Sequence, residues 1–526
     1  MTGPRAFPRP RFRDWLTATV VAVAVTSAAL LQLFLGPDLG LADNGDGRRV
    51  LCGAGLQPPS TATAFTDVIF RVGPLTDPVA GFCDRPDLRY STSQILLVDT
   101  AEHLQGLVSG PGLDLRVLGG LVAVLFGLSV GGLFLALPGA TWVRLVVVAA
   151  ATALLLDVSY VHYFASSFSE SAGFLGLVTT AAALAWLARR PLGIAPLVLL
   201  LATTAVLVTA KSQLTPLAGL VVAAVVLRFL QHRRAAPGPH WRPALLVGAF
   251  IAALLVGSGL QLNYQGPDFH RANMHNLVLY TLAPLTDDPA AALEEMGFDP
   301  GMAPYTGTTA FNSPALDDPD YPAFIRSAGR APVLRYLAGH PQIAATMLRS
   351  GLTEATRPRT RYLAEVAVAD RAGQGPHADR YSPATDLLKV VRPAAWPLLP
   401  VLWTAMAAWG AVLAVRRTVR GVDMRAYGAP IAFTALAAGS QVVVSLLGDG
   451  RYELAKHEVF VSYLTWLALA LTLGSLLRLL GGRSPAEQRV PHEQHDTHRG
   501  DASARDSDHG DTAPIHGLLD RKEMAT

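Results

Sequence analysis

The feature that most constrains this chain is a recurring block of about 20 apolar residues, long enough at ~1.5 Å per residue to cross ~30 Å of hydrocarbon. The first block runs from Leu16 to Leu35. Others fall near Arg116–Leu137, Val143–Val158, Ala172–Leu187, Ile194–Ala210, Leu214–Leu230, Ala244–Leu262, Val390–Val415, Tyr427–Leu447 and Phe460–Leu480. Inside a bilayer each backbone N–H and C=O must find its partner within the segment, so these blocks are helices. The pattern predicts an all-α polytopic membrane protein with about ten transmembrane helices. Charged residues make up only 16% of the chain, well under the roughly 25% of soluble domains. A net charge of +3 gives no footing to a nucleic-acid partner, so the surrounding partner is membrane lipid.

Charge orients the bundle. Arg5, Arg9, Arg11 and Arg13 precede the first block, and arginines also gather at Arg144, Arg189-Arg190, Arg228, Arg233-Arg234 and Arg416-Arg417-Arg420. The alternate turns hold isolated charges mixed with acids. The positive-inside bias then puts both termini in the cytoplasm. A secretory signal is the competing reading of the N-terminus, but its apolar run exceeds the usual 7–15 residues. The expected organisation is a cytoplasmic segment 1–13, a first helix 14–36 and a first extracytoplasmic loop 37–113. Helices two to seven follow over 114–262, a second large extracytoplasmic loop over 263–387, and helices eight to ten over 388–482. The remainder, 483–526, is polar, has almost no apolar residues and is expected to be a disordered cytoplasmic tail; its scattered histidines read as a solvated segment rather than a metal site. The two cysteines, Cys52 and Cys83, both fall in the first loop and are expected to form a disulfide, the competing reading being two unpaired small hydrophobes.

Four polar clusters stand at the expected outer face. The first is Ala42-Asp43-Asn44-Gly45-Asp46, just beyond helix one, where Asp43 or Asp46 can take the proton from an acceptor hydroxyl while the other orients it or shares a divalent cation, Mg or Mn. Asn-Gly and Asp-Gly are also strong turn formers, so a plain turn is the competing reading. The second runs from Asp157 through His162 and Tyr163 to Glu170. Its aromatics fit an interfacial belt, whereas Glu170 leads into an apolar helix where a carboxylate is costly; Glu170, Asp157 and His162 are candidates for an acceptor or second-acid site. The third is cationic: Lys211, Arg451, Lys456 and His457. Lys211, Lys389, Lys456 and Lys522 are the only lysines, and two of them here run against the positive-inside bias. They suit a lipid-linked phosphate; snorkelling to headgroups is the bland alternative. The fourth is the second loop, whose segments Tyr321–Arg330, Pro332–Gly339 and His340–Ser350 show helical periodicity.

Taken in order, Ala42-Asp43-Asn44-Gly45-Asp46, Tyr163-Phe164 with Ser169-Glu170, and Asp449-Gly450 with Lys456-His457 resemble the GT-C superfamily over residues 14 to 480. More narrowly they look like bacterial hexosyltransferases of the WsfD type, which serve cell-surface glycans. The resemblance implies a GT-C-like fold and an inverting transfer of a hexose from a polyprenyl-phosphate-linked sugar to a glycan or glycolipid acceptor. It makes Asp43 or Asp46 the base, with Asp43 preferred, although the loop lacks the adjacent Asp-Asp or Glu-x-Asp pair common in such families. No cofactor is certain, and a divalent cation stays undecided. A glycolipid transporter or flippase, a glycan polymerase and a purely structural role are the alternatives. Transporters place ionisable groups near the bilayer midplane and show internal repeats, and neither pattern is evident.

Overall fold

The computed structural model describes residues 10–42, 45–59, 67–75, 83, 90–235, 240–416, 419 and 424–481. The expected tail over 483–526, Arg5, Arg9, Arg417, Arg420 and Asp43 lie outside these residues.

The fold is all-helical and polytopic. The apolar blocks form α1 (Phe12–Phe34), α2 (Leu115–Ala136), α3 (Thr141–Leu155), α4 (Glu170–Arg189), α5 (Ile194–Ala210), α6 (Leu217–Ala235), α7 (Trp241–Tyr264), α8 (Ala395–Val415), α9 (Arg425–Asp449) and α10 (Val459–Leu480). Among the described residues, 8 helical stretches are long and apolar enough to cross a membrane. Two of the expected spans depart from a plain rod. The third breaks after Leu155 and bends by 71° into Val158–Ala165. Asp157 causes the break: it leaves helical geometry and caps the next turn, accepting from Ser159 N at 2.8 Å. The fifth, α5, has only 17 residues, or about 26 Å of rise. At α8 the helix begins earlier than the apolar pattern suggests, since Pro383–Val391 and a short 3₁₀ turn run into it.

Packing is densest where small residues let backbones meet. A Cβ on Gly428 would strike the backbone of Ala414, and one on Gly410 that of Ala432, so these glycines set the close approach of α8 and α9. The buried core runs through α2, α4, α9 and α10, where Phe126, Phe134, Phe174, Tyr427 and Tyr463 are enclosed.

The two ends of the bundle differ in chemistry. At one, arginines hold helix ends together. Arg189 donates to the carbonyls of Leu135, Ala136 and Leu137 at 2.9, 3.0 and 3.3 Å, satisfying the C-terminal acceptors of α2. Arg144 pairs with Asp14 at 2.5 Å, and Arg228 donates to Arg190 O at 2.7 Å. The opposite end carries both long loops.

In the first loop, Leu56–Gln57 (β1), Arg71–Pro74 (β2) and Leu113–Asp114 (β3) make a small antiparallel sheet in the order β1-β2-β3, with Leu56 opposite Pro74 and Val72 opposite Leu113. Cys52 and Cys83 are joined as expected, with Cα atoms 5.4 Å apart. A second helix, Gln94–Gly106, is tied to the end of α5: Thr92 donates to Ala210 O at 2.6 Å and Ser93 to Val206 O at 2.8 Å. In the second loop the expected helices appear as Tyr321–Ser327, Arg330–Gly339 and Pro341–Glu354. The last packs on α9 through Gly351, where a Cβ would press on Val442 and Leu446.

The chain-entropy model makes a test of the first loop direct. Closing 31 residues stabilises the fold by about 3 to 4 kcal/mol. Cys52→Ser should therefore lower the melting temperature of the detergent-solubilised protein, and an unchanged transition would show that the bridge does not constrain the loop.

Candidate active site

The site is built from short pieces of chain far apart in sequence. Gly45 adopts φ +97°, a left-handed turn that costs glycine nothing, and starts the helix Asp46–Gly53 with Asp46 in its first turn. Opposite stands the short helix Leu454–His457, entered through Glu453 at φ +46°. A non-glycine residue held there is strained and must be fixed by its surroundings. The preceding Gly450, at φ +62°, lies so close to Thr281 that any side chain would collide with it. The turn between α9 and α10 is thus pressed against the second loop. Arg451 N donates to Thr281 Oγ1 at 2.7 Å and Asn276 Nδ2 to Asp449 Oδ1 at 2.7 Å.

Lys456 is at the centre. Its side chain is 0% exposed, and its ammonium lies 2.5 Å from Asp46 Oδ2 and 3.6 Å from Glu453 Oε2. It also sits 4.6 Å from the centre of the Phe168 ring, where a cation is favoured. Asp46 keeps 35% of its side chain exposed, so one face of this pair is open. Its other oxygen takes Arg49 Nη1 at 3.2 Å. Arg49 reaches on toward Asp268 at 3.9 Å and lies over Phe269, and Asp268 binds Arg271 at 2.7 Å. Burial alone would raise the Asp46 carboxyl, but Lys456, then Arg49 and Lys211, outweigh it and hold it well below the usual carboxylate range. Asp46 is therefore ionised at neutral pH.

A second buried pair adjoins the first. Lys211 donates to Glu170 Oε1 at 2.7 Å, both nearly sealed from solvent. Its field reaches Asp46, so the two pairs form one electrostatic unit. Gln213 beside it accepts from His457 Nδ1 at 3.0 Å and donates to His457 O at 3.0 Å, which fixes the imidazole with Nε2 3.5 Å from Asp449. Tyr90, half-buried, shares a 3.3 Å hydrogen bond with Ser169. Burial foremost, then the charges of Asp46 and Glu170, raise its phenol so that it stays protonated.

The sequence candidates thus divide. Asp46, Glu170, Lys211, Lys456 and His457 come together, and the main chain of Arg451 joins the same turn while its guanidinium is exposed. Asp157 and His162 are engaged elsewhere. Asp157 holds the end of the second loop, accepting from Thr385 N and Thr385 Oγ1, both at 2.9 Å. His162 donates to Val158 O at 2.7 Å and stands 3.4 Å from Glu365. Glu365 is a hub that sequence reasoning missed. It is buried, takes Arg359 at 3.0 Å and Ala378 N at 3.1 Å, and its carbonyl accepts from Gly40 N of the first loop. Burial opposes its ionisation, but His162, Arg359 and His377 together lower it. Arg49 and Glu453 were also missed as partners, although Arg49 follows the first acidic motif by three residues and Glu453 lies between Gly450 and Lys456.

A divalent cation does not fit Asp46 as arranged. Its carboxylate is already engaged by an ammonium and a guanidinium, and among the described residues no group of three or more His, Cys, Asp or Glu is placed to hold a metal.

The apolar helices make the chain a multi-pass membrane protein, and a family match adds the glycosyltransferase-like class. Residues 10–481 match the YfdI N-terminal transmembrane domain, and the chain belongs to that family. No curated protein and no solved structure matches the chain.

The site's support in the second loop is pH-sensitive. His275 is enclosed, with Nε2 3.0 Å from Thr308 O and Nδ1 2.9 Å from the Tyr321 hydroxyl. Burial foremost, with Arg271, pulls it down to about 4 against the partial relief of the Thr308 hydrogen bond. The unfolded chain binds this proton near pH 6.5 and the folded chain does not, so stability falls as pH drops through that window. At pH 5 the loss is about 2 kcal/mol. Denaturant unfolding at pH 7.5 and 5 should show this extra loss in the parent and not in His275→Gln.

Proposed function

We propose that the protein transfers a hexose from a polyprenyl-phosphate donor to a hydroxyl of a cell-surface glycan or glycolipid, at the extracytoplasmic face of the cell membrane. The observation that carries this reading is the buried Lys456–Asp46 pair, with Lys211–Glu170 beside it, at the loop end of the bundle. Family membership supports the transferase class. The arginine-rich opposite end supports the orientation through the positive-inside bias.

In the proposed step the acceptor oxygen attacks the anomeric carbon and the bond from that carbon to the phosphate oxygen breaks, inverting the centre. The acceptor proton passes to a carboxylate and the leaving electron pair to the phosphate. Lys456 and Lys211 balance that charge, with Arg451 at the open rim and His457 beside them as a hydrogen-bonding group. Asp46 and Asp43 are the two candidates for the base. A carboxylate held as low as Asp46 is a weak base while Lys456 stays on it. Arrival of a phosphate offers the ammonium a second anion and relieves that restraint. Asp43 is the preferred base on the family resemblance, which leaves Asp46 to hold Lys456 in place.

Transfer of labelled hexose from a polyprenyl-phosphate donor by membranes containing the protein tests this. Loss of a general base costs about 10²- to 10⁴-fold in rate. At least one of Asp43→Asn and Asp46→Asn should show a loss of that size with protein level unchanged. Full activity in both would remove the mechanism. A donor requirement for a preassembled oligosaccharide would favour a polymerase, and movement of lipid across the bilayer without transfer a flippase.

A further inference from the structure

Beside the charged cluster lies a group of aromatic rings that neither the ion pairs nor the bundle core uses. Tyr452, in the turn between α9 and α10, is flanked by Phe311 at 5.4 Å and by Tyr280 at 6.1 Å, the latter edge-on. Phe311 is 52% exposed and Tyr362 is 37% exposed. Tyr362 stands near Glu453, the residue that follows Tyr452 and touches Lys456. An apolar ring left half in the open is not completing a core. Here several such rings adjoin carboxylates. The turn that carries Tyr452 and Glu453 is itself fixed in a strained geometry by Gly450 against Thr281.

We propose that Phe311 and Tyr452, with Tyr280 and Tyr362 around them, are a stacking platform for a pyranose ring of the acceptor glycan. A pyranose has an apolar patch of C–H bonds on its face and hydroxyls around its rim. The C–H patch meets the negative face of an aromatic ring, and the rim hydroxyls donate to carboxylates. Phe311 and Tyr452 supply the face, and Glu453 and Asp46 supply acceptors at its edge. The platform comes from the second loop and the α9–α10 turn, not from the helices that carry Lys211 and Glu170. In the proposed function the donor phosphate goes to the buried Lys211 and Lys456, which leaves the exposed rings to the acceptor. This assignment rests on the transferase reading above, but sugar binding can be measured without turnover.

The test uses the full chain in lipid nanodiscs and saturation-transfer NMR with methyl β-D-glucopyranoside, methyl β-D-galactopyranoside and methyl α-D-mannopyranoside, with glycerol as control. At least one glycoside should give signal on its ring C–H protons. Removing one stacking ring should weaken it by about fivefold. Phe311→Ala and Tyr452→Ala should each show that loss, and Tyr452→Phe, which keeps the ring, should not. All variants are compared at matched melting temperature. The signal is read without donor and without turnover, so failed transfer and failed sugar binding are told apart. In Asp43→Asn, which lacks the preferred base, saturating polyprenyl-phosphoglucose should leave the signal in place; displacement would assign the platform to the donor's hexose and overturn the acceptor assignment. No ring-proton signal from any glycoside, or equal signals in the parent and both alanine variants, would overturn the platform. Weaker nanodisc association in the alanine variants with unchanged sugar signal would make these rings a membrane belt and likewise overturn it.

Discussion

A lysine ammonium closed off by a helical bundle has lost its water, and its burial is tolerable only if an anion comes to meet it. Lys456 stands in the short helix just before α10 with no exposed surface, and its closest anion is Asp46, 410 positions earlier in the chain. That requirement draws the first loop onto the mouth of the bundle. Arg49, one turn along the same helix, extends the chain of charge to Asp268 and so to the second loop. Lys211 and Glu170 repeat the arrangement between the tips of α5 and α4. Removing one partner from such a pair costs about 3 to 5 kcal/mol because the other is left buried and uncompensated. A constellation so costly to break holds two lysines where a phosphate could take over from their carboxylates.

The second loop is fixed by separate devices. Asn276 bridges it to Asp449, Glu365 binds it to His162 and to the backbone of Gly40, and Asp157 caps its return at Thr385. The Asn276 bond and the contact of Gly450 with Thr281 hold the α9–α10 turn in its strained form, and Phe311 and Tyr362 stay exposed. Rigidity at the rim and an exposed face on Asp46 are what a site needs if it is to receive a substrate already oriented.

The helices were legible because their signal is local. Twenty apolar residues in a row determine a span whatever surrounds them, and the arginine clusters mark one end of the bundle. The disulfide was legible because only two cysteines exist and both fall in one loop. The third span's bend was not, since a polar Asp157 at a helix end looks the same whether it caps a break or faces a substrate. Among the polar residues, sequence could name Asp46, Glu170, Lys211 and Lys456 by their cost in an apolar setting. It could not say which met which, because the partners lie 41 and 410 positions apart. Glu365 stands alone in an apolar run over 363–369, a signal the sequence did offer, but only the fold shows that His162, Arg359 and His377 enclose it.

The most direct test of this account is a double-mutant cycle on Asp46→Asn and Lys456→Met, read from denaturant unfolding of the solubilised protein. The account predicts strong coupling, about 2 to 4 kcal/mol, with the double variant more stable than Lys456→Met or Asp46→Asn alone. Additivity within about 0.5 kcal/mol would mean that the two side chains do not sense each other, and would contradict the pair on which the site is built.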